Sequence, residues 1–152
     1  MKIISTNRQA RYDYFILERL EAGIQLKGNE VKSLREGRSS LKDSFARAEK
    51  GELFLYNFYI APFSHNSDAE YDPLRLRKLL IHKKEIDKLT AKVSEKGVAL
   101  IPLSLYFKKG LVKVELAVCK GKRAYDKREK IKKREAEREI RKVADYKMHL
   151  VR

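Results

Sequence analysis

The feature that most constrains the fold lies between residues 98 and 118. Val112, Val114, Leu116 and Val118 fall on one side of an extended backbone, and Lys113 and Glu115 on the other. That period of two is the pattern of a strand with one buried face. The preceding run, Val98 to Phe107, reads as its partner, and Lys108-Lys-Gly110 between them is long enough only for a hairpin connection. A second hairpin is signalled upstream, where Ser44 to Ala48 and Leu53 to Ile60 flank Glu49-Lys-Gly-Glu52. Leu53 to Ile60 is apolar on both faces, so both must be covered, and Phe54, Tyr56, Phe58 and Tyr59 read as core rather than as a stacking platform.

The remaining segments fit the same kind of body. Tyr14 to Leu20 leads into Ile24-Gln-Leu-Lys27, where Ile24 and Leu26 alternate with polar residues between Gly23 and Gly28. Asn29 to Glu36 reads as a short helix, with Asn29 available as N-cap, Val31 and Leu34 on one face, and Gly37 as its stop. Leu74 to Ile81 is compatible with either strand or helix. His82 to Glu95 is a better helix, with Ile86, Leu89 and Val93 on one face and Gly97 beyond its end. Six or so short strands with two or three short helices predict a mainly β body. The expected architecture is a small, closed or partly closed barrel with an oligonucleotide-binding (OB-like) arrangement.

Charge divides the chain. Of its 152 residues, 36 are Lys or Arg and 21 Asp or Glu, a formal net charge of +15. Residues 120–152 hold 14 of those cations and 6 of those acids, so the last fifth carries over half the net charge. This predicts a body over 1–119 and a basic tail over 120–152. From Tyr125 to Lys147 the tail is rich in Lys, Arg, Glu and Ala, which are good helix formers. Its apolar residues, Ile131, Ile140 and Val143, are too sparse to make a stripe. Such a tail is expected to be disordered when free and helical along a phosphate surface that neutralises it.

The net charge implies a polyanionic partner and salt-sensitive complexes, with nucleic acid the first candidate and an anionic membrane its rival. A single cysteine, Cys119, excludes an internal disulfide framework and fits a reducing cytoplasm. No run approaches the roughly 18 apolar residues of a membrane span, so a cytoplasmic protein with no membrane partner is expected.

Three constellations are candidates for contact with RNA. The first is Arg75-Leu-Arg-Lys78 through His82-Lys-Lys84, five cations and one His within ten residues. If this stretch is extended, Arg75, Arg77 and Leu79 share a face, and the arginines are suited to bidentate phosphate contact; a charged strand edge is the plainer reading. The second is Glu30-Val-Lys-Ser-Leu-Arg35. Its acid could accept hydrogen bonds from a base edge or a 2′-hydroxyl, although pairing with Lys27 or favouring a helix start explains it as well. The third runs from Lys120 through Gly121, Lys122 and Arg123 to Tyr125, Asp126, Lys127 and Arg128, cations around a ring able to stack on a base. Phosphate-loop and dinucleotide motifs are absent. His65, His82 and His149 are far apart in sequence and have no paired cysteine, so neither a metal nor a cofactor is expected. His65 with Asp68 and Asp72 is a weak acid/base candidate inside a polar loop. The protein is expected not to be an enzyme.

Five collinear stretches resemble the SsrA-binding proteins of bacteria, the SmpB family. They are Asn7-Arg-Gln-Ala-Arg-Tyr-Asp-Tyr-Phe-Ile16, Gly23-Ile-Gln-Leu-Lys-Gly-Asn-Glu-Val-Lys-Ser-Leu-Arg35, Asp72-Pro-Leu-Arg-Leu-Arg-Lys-Leu-Leu-Ile-His-Lys-Lys-Glu-Ile86, Pro102-Leu-Ser-Leu-Tyr-Phe-Lys-Lys-Gly110 and Lys120-Gly-Lys-Arg-Ala-Tyr-Asp-Lys-Arg128. No single stretch is decisive; five in order are specific. The resemblance implies an OB-like barrel, a tail unstructured in the free protein, and a role in trans-translation. It implies binding to the tRNA-like domain of tmRNA (SsrA RNA), improved aminoacylation by alanyl-tRNA synthetase, and delivery with elongation factor Tu to ribosomes stalled on truncated messages. The tail would enter the vacant mRNA channel and meet small-subunit rRNA at the decoding centre. Carried over by motif, the tmRNA face includes Glu30, Leu80 and His82, with Lys32, Arg35, Arg75, Arg77 and Lys78 beside them. The decoding-centre contact falls on Asp126, Lys127 and Arg128, preceded by Gly121, Lys122 and Arg123. Some members have Asn where His82 stands and His where Tyr125 stands. The match is less clear from Asp145 to Arg152, which leaves any role for Met148 there in doubt. A structural rRNA-binding protein of ribosome assembly is the alternative that composition alone leaves open.

Overall fold

The computed structural model describes residues 1–66, 69–122 and 138. The expectations for Asp68, for Arg123, Tyr125, Asp126, Lys127 and Arg128, for Met148 and His149, and for the conformation of the tail fall outside the described residues. The chain divides into two units, Met1–Lys120 and Gly121–Arg152.

Nine strands and three helices make up the described chain: β1 (Lys2–Thr6), α1 (Arg8–Asp13), β2 (Tyr14–Ile24), α2 (Gly28–Arg35), β3 (Ser39–Ser40), β4 (Phe45–Glu49), β5 (Glu52–Tyr56), β6 (Tyr59–Ile60), β7 (Arg77–Leu80), α3 (Lys83–Val93), β8 (Val98–Lys108) and β9 (Leu111–Gly121). Seven strands form one sheet in the order β1-β8-β4-β5-β7-β2-β9, and β8 also pairs with β9. The sheet therefore closes on itself as a ring, and the mainly β, OB-like expectation holds. β3 and β6 pair apart from it.

Both predicted hairpins form, and each turns on the dipeptide Lys-Gly. Lys50 and Gly51 (φ 51° and 76°) connect Glu49 to Glu52, and Lys109 and Gly110 (φ 51° and 77°) connect Lys108 to Leu111. Two successive positive φ angles match the right-handed twist of the flanking strands, and glycine adopts the second at no steric cost.

The ring closes because β8 changes partner along its length. Its first half pairs with β4 (Ala46↔Leu100) and its second half with β1 (Lys2↔Phe107 through Thr6↔Ser104). A bulge against β9 between Pro102 and Ser104 separates the halves. The extra residue bends the strand and reverses its facing. Leu100 and Leu105, five apart, consequently share the main core with Val112, Val114, Leu116 and Val118, while Ile101 and Leu103 join a second apolar cluster. That cluster also contains Ala117 and Cys119 and is covered by Ala10 of α1 with Tyr14, Ile16 and Phe45. The alternation read at 112–118 thus holds for the inner face, but the end of β9 is buried on both sides.

The structure departs from the sequence reading in four places. Residues 1–13, unassigned from sequence, form β1 and α1. Asn7 links them: its Oδ1 accepts from the Ala10 N–H at 3.1 Å, and its Nδ2 donates to the carbonyls of Pro102 (3.0 Å) and Leu41 (3.4 Å). Leu53–Ile60 is not one strand. Asn57 takes φ 58°, a left-handed conformation that Asn tolerates better than most residues, and turns Tyr59–Ile60 away to pair with β3. Phe58 is fully buried as expected, whereas Tyr59 is exposed. β2 ends at Ile24, and helix α2 is capped at Lys27 rather than Asn29, with Glu30 inside its first turn. Finally, Leu74–Ile81 is neither all strand nor helix: only Arg77–Leu80 forms a strand, β7, paired with β2 (Gly23↔Leu80) and β5 (Leu53↔Leu79).

Candidate nucleic-acid interface

β7 exposes the face opposite to the one its arginines suggested. With a period of two, Leu79 inside the core fixes Arg77 inside as well, and both are buried. The outward positions are Leu76, Lys78 and Leu80, followed by His82 at the start of α3. Arg75 stands just before the strand, in the turn that Asp72 closes by accepting from the Leu74 N–H at 2.9 Å.

Behind this face sits a buried ion cluster. Glu30, 1% exposed, receives Arg77 at Oε2 (Nε 2.7 Å, Nη2 2.6 Å). Its Oε1 accepts from Arg75 Nη2 at 2.5 Å and from the Lys27 backbone N–H at 2.8 Å. Arg77, 0% exposed, donates its remaining Nη hydrogens to the carbonyls of Phe58 and Pro73 and lies over the Phe58 ring, 5.4 Å from its centroid. Burial pushes the Glu30 carboxyl up. The hydrogen bonds from Arg75, Lys27 and Arg77 outweigh it and hold the group below the ordinary carboxylate range, so Glu30 is ionised at neutral pH. Glu30 and Arg77, expected from sequence to face RNA, are both buried, and every oxygen and nitrogen of the pair is committed inside the fold. Glu30 favours the helix start, accepting from the Lys27 backbone N–H, while its ion pairs are with Arg75 and Arg77.

Arg75 is different. Its side chain is 32% exposed. It lines a polar cleft with Lys27, Gly28 and Asn29 of the α2 entry and Glu70, Tyr71 and Asp72 opposite. Lys32 and Arg35 are exposed on α2 outside that cleft, Lys32 with its ammonium 5.5 Å from the centre of the Phe63 ring. Lys78 is paired with Glu52 at 3.1 Å on the surface of the sheet.

A second cleft gathers Leu80 and His82 with Gly23, Glu21, Glu85 and Lys113. Leu80 is 50% exposed although it sits mid-sheet, and its partner in register is Gly23. A Cβ at Gly23 would stand 3.2 Å from the Leu80 Cβ, so a side chain there would oblige Leu80 to shift by a few tenths of an ångström. Glu21 is held by Tyr106, whose hydroxyl donates to it, and by Lys108 at 3.3 Å. The Tyr106 hydrogen bond holds the Glu21 carboxyl below its ordinary range.

Of the sequence-predicted residues, the structure therefore brings Glu30, Arg75 and Arg77 into one cluster and Leu80 and His82 into one cleft. Lys32, Arg35 and Lys78 stand apart on the surface. Sequence reasoning missed Gly23 and Lys113 in the second cleft and Lys27 in the first. Gly23 punctuated the strand pattern, but only register with Leu80 gives it a role. Lys120 and Gly121 are the last two residues of β9, and Lys122 follows it. His65 is exposed and meets the edge of Phe63, and Asp72 is engaged in its turn. Among the described residues no group of three or more His, Cys, Asp or Glu is arranged to hold a metal ion, and no helix is long and apolar enough to cross a membrane.

Comparison with known proteins agrees with the order of these motifs. A family model described as SmpB protein matches residues 4–146. The SsrA-binding protein of Caldicellulosiruptor bescii is 60% identical over 142 residues, 93% of this chain and 90% of that one. The SsrA-binding protein of Pelotomaculum thermopropionicum is 53% identical over 150 residues, 99% and 98% of the two chains. Among solved structures, a chain from "tmRNA-SmpB: a journey to the center of the bacterial ribosome" is 55% identical with a TM-score of 0.66, over 77% of this chain and 82% of that one. The chain belongs to the SmpB protein family.

Proposed function

We propose that this protein binds the tRNA-like domain of tmRNA and delivers it to stalled ribosomes for trans-translation. The observation that carries the reading is its 53% identity, over 150 collinear residues, with a protein named for binding SsrA RNA. The net charge of +15 and the outward row of Leu76, Lys78, Leu80 and His82 support it physically. Cations supply salt-sensitive attraction to phosphates, and an exposed apolar side chain gives a contact surface for an unstacked base or a ribose. In this reading Lys32, Arg35, Arg75, Lys78, Leu80 and His82 form the RNA-facing set, with Glu30 and Arg77 behind it, and the protein performs no chemistry of its own. Alanyl-tRNA synthetase and elongation factor Tu act on the same RNA and are met indirectly, in the cytoplasm.

The division of labour we infer gives the tmRNA contact to residues 1–119 and the ribosome contact to 120–152. Lys120, Gly121, Lys122, Arg123, Tyr125, Asp126, Lys127 and Arg128 would probe the decoding centre. A cationic arm that orders only against unoccupied rRNA discriminates an empty channel from a filled one, because message competes for the same volume. Titration of the tRNA-like domain at several salt concentrations tests the first half. Specific binding should lose affinity linearly in log salt, with a slope of about −0.9 per phosphate neutralised. Equal affinity for the tRNA-like domain and for an unrelated rRNA hairpin would favour an assembly protein instead.

A further inference from the structure

We propose that Glu30 serves RNA binding as a positioning residue, acting through Arg75 alone; the inference rests on the function proposed above and names the group that does the touching. Three observations lead to it. Glu30 is only 1% exposed, yet its two oxygens face two guanidinium groups. Those two arginines are not equivalent: Arg77 spends its donors on Glu30, Phe58 and Pro73, whereas Arg75 gives one nitrogen to Glu30 and one, at 3.3 Å, to the Leu76 carbonyl. Arg75 Nε is buried and has no partner among the described residues. Its guanidinium is thus anchored at both Nη groups by one bond each, with one hydrogen left over on each, in a cleft that Lys27, Asn29, Glu70 and Asp72 also line.

Within the cluster one carboxylate stands between two guanidinium groups, and Arg75 is the member that reaches solvent, where Glu70 and Asp72 line the opposite side of its cleft. A long arginine that is free to rotate loses side-chain entropy on meeting a ligand. One pinned by a buried carboxylate has largely met that cost on folding, so its contact with RNA is preorganised. Arg77 fixes the carboxylate in turn, through two bonds to Oε2. The chain of support runs from Arg77 to Glu30 to Arg75 to RNA.

The test is a double-mutant cycle on the full chain, with the tRNA-like domain as ligand. Arg75→Ala should weaken binding about tenfold, the size of a lost charge-assisted hydrogen bond. Glu30→Gln leaves Arg77 as a buried unpaired charge and is at risk of unfolding, so the working variant is Glu30→Gln with Arg77→Met, which removes both halves of the buried pair. That variant should also weaken binding several-fold when Arg75 is present and should cost nothing further in the Arg75→Ala background, at unchanged circular dichroism. A purely structural role for Glu30 does not produce that non-additivity. An equal loss in both backgrounds overturns the proposal, as does wild-type affinity in Arg75→Ala. Either result leaves tmRNA binding itself standing, whereas a wild-type chain that ignores the RNA removes the function and not merely this assignment.

Discussion

Gly23 and Leu80 face each other across β2 and β7 at a distance that has no room for a second Cβ without movement. The pair ties the backbone of one strand to the exposure of an apolar residue on the next. Gly23→Ala should therefore be a binding mutation more than a stability mutation. The methyl group restricts the unfolded chain, a gain of about 0.4–1 kcal/mol, which offsets much of the crowding. We expect a thermal midpoint within a few degrees of wild type and a several-fold loss of affinity for the tRNA-like domain as Leu80 is displaced. Calorimetry and a binding titration on the same sample read the two effects separately.

The buried pair gives a stability prediction independent of RNA. Arg77→Ala leaves the buried Glu30 carboxylate with Arg75 and the Lys27 N–H at one oxygen and nothing at the other, and should cost about 3 kcal/mol, read from the urea midpoint at constant m-value. Glu30→Gln with Arg77→Met should recover most of that loss.

The same site sets part of the acid response. Because the Glu30 carboxyl titrates below its ordinary value of 4.5, its contribution is complete well above that pH. As the pH falls below 4.5 the unfolded chain takes up a proton that the native cluster refuses, so stability declines until the native carboxylate is itself protonated. Glu21, also held low by Tyr106 and Lys108, acts in the same direction. Urea unfolding between pH 5 and 3 should show a shallower pH dependence in the Glu30→Gln, Arg77→Met variant than in wild type.

Cys119 provides a probe of global opening. It lies within the second apolar cluster, and burial pushes its thiol up to about 11. An aromatic disulfide reagent at pH 8 should leave the native protein unlabelled and modify it rapidly in urea, at a rate that follows unfolding.

Much of the fold was legible in the sequence because it was written locally. The two Lys-Gly turns, the alternation at 112–118 and the apolar face Ile86-Leu89-Val93 each need only neighbours in the chain. What escaped was written between distant segments. Asn7 reads as an ordinary polar residue until Pro102 and Leu41 supply the carbonyls that bury it. The Pro102–Ser104 bulge, which sends Leu103 to the second cluster, is marked in the sequence only by a proline that cannot donate to the ladder, and the proline does not say which way the strand turns. The same holds for the site. The cation-rich stretch at 75–84 was visible, but the facing of Arg77 depends on which side of β7 the ring closes over. Charge counting assigns both arginines to the ligand. Register assigns one of them to the core.

The most direct test of the central claim is the identity of the RNA that stays with the full-length protein through purification from a bacterial lysate at moderate salt. Sequencing should return tmRNA as the enriched species, in substoichiometric amount and released as salt is raised. Recovery of ribosomal RNA in stoichiometric amount, or of no RNA under any salt condition, would contradict the account.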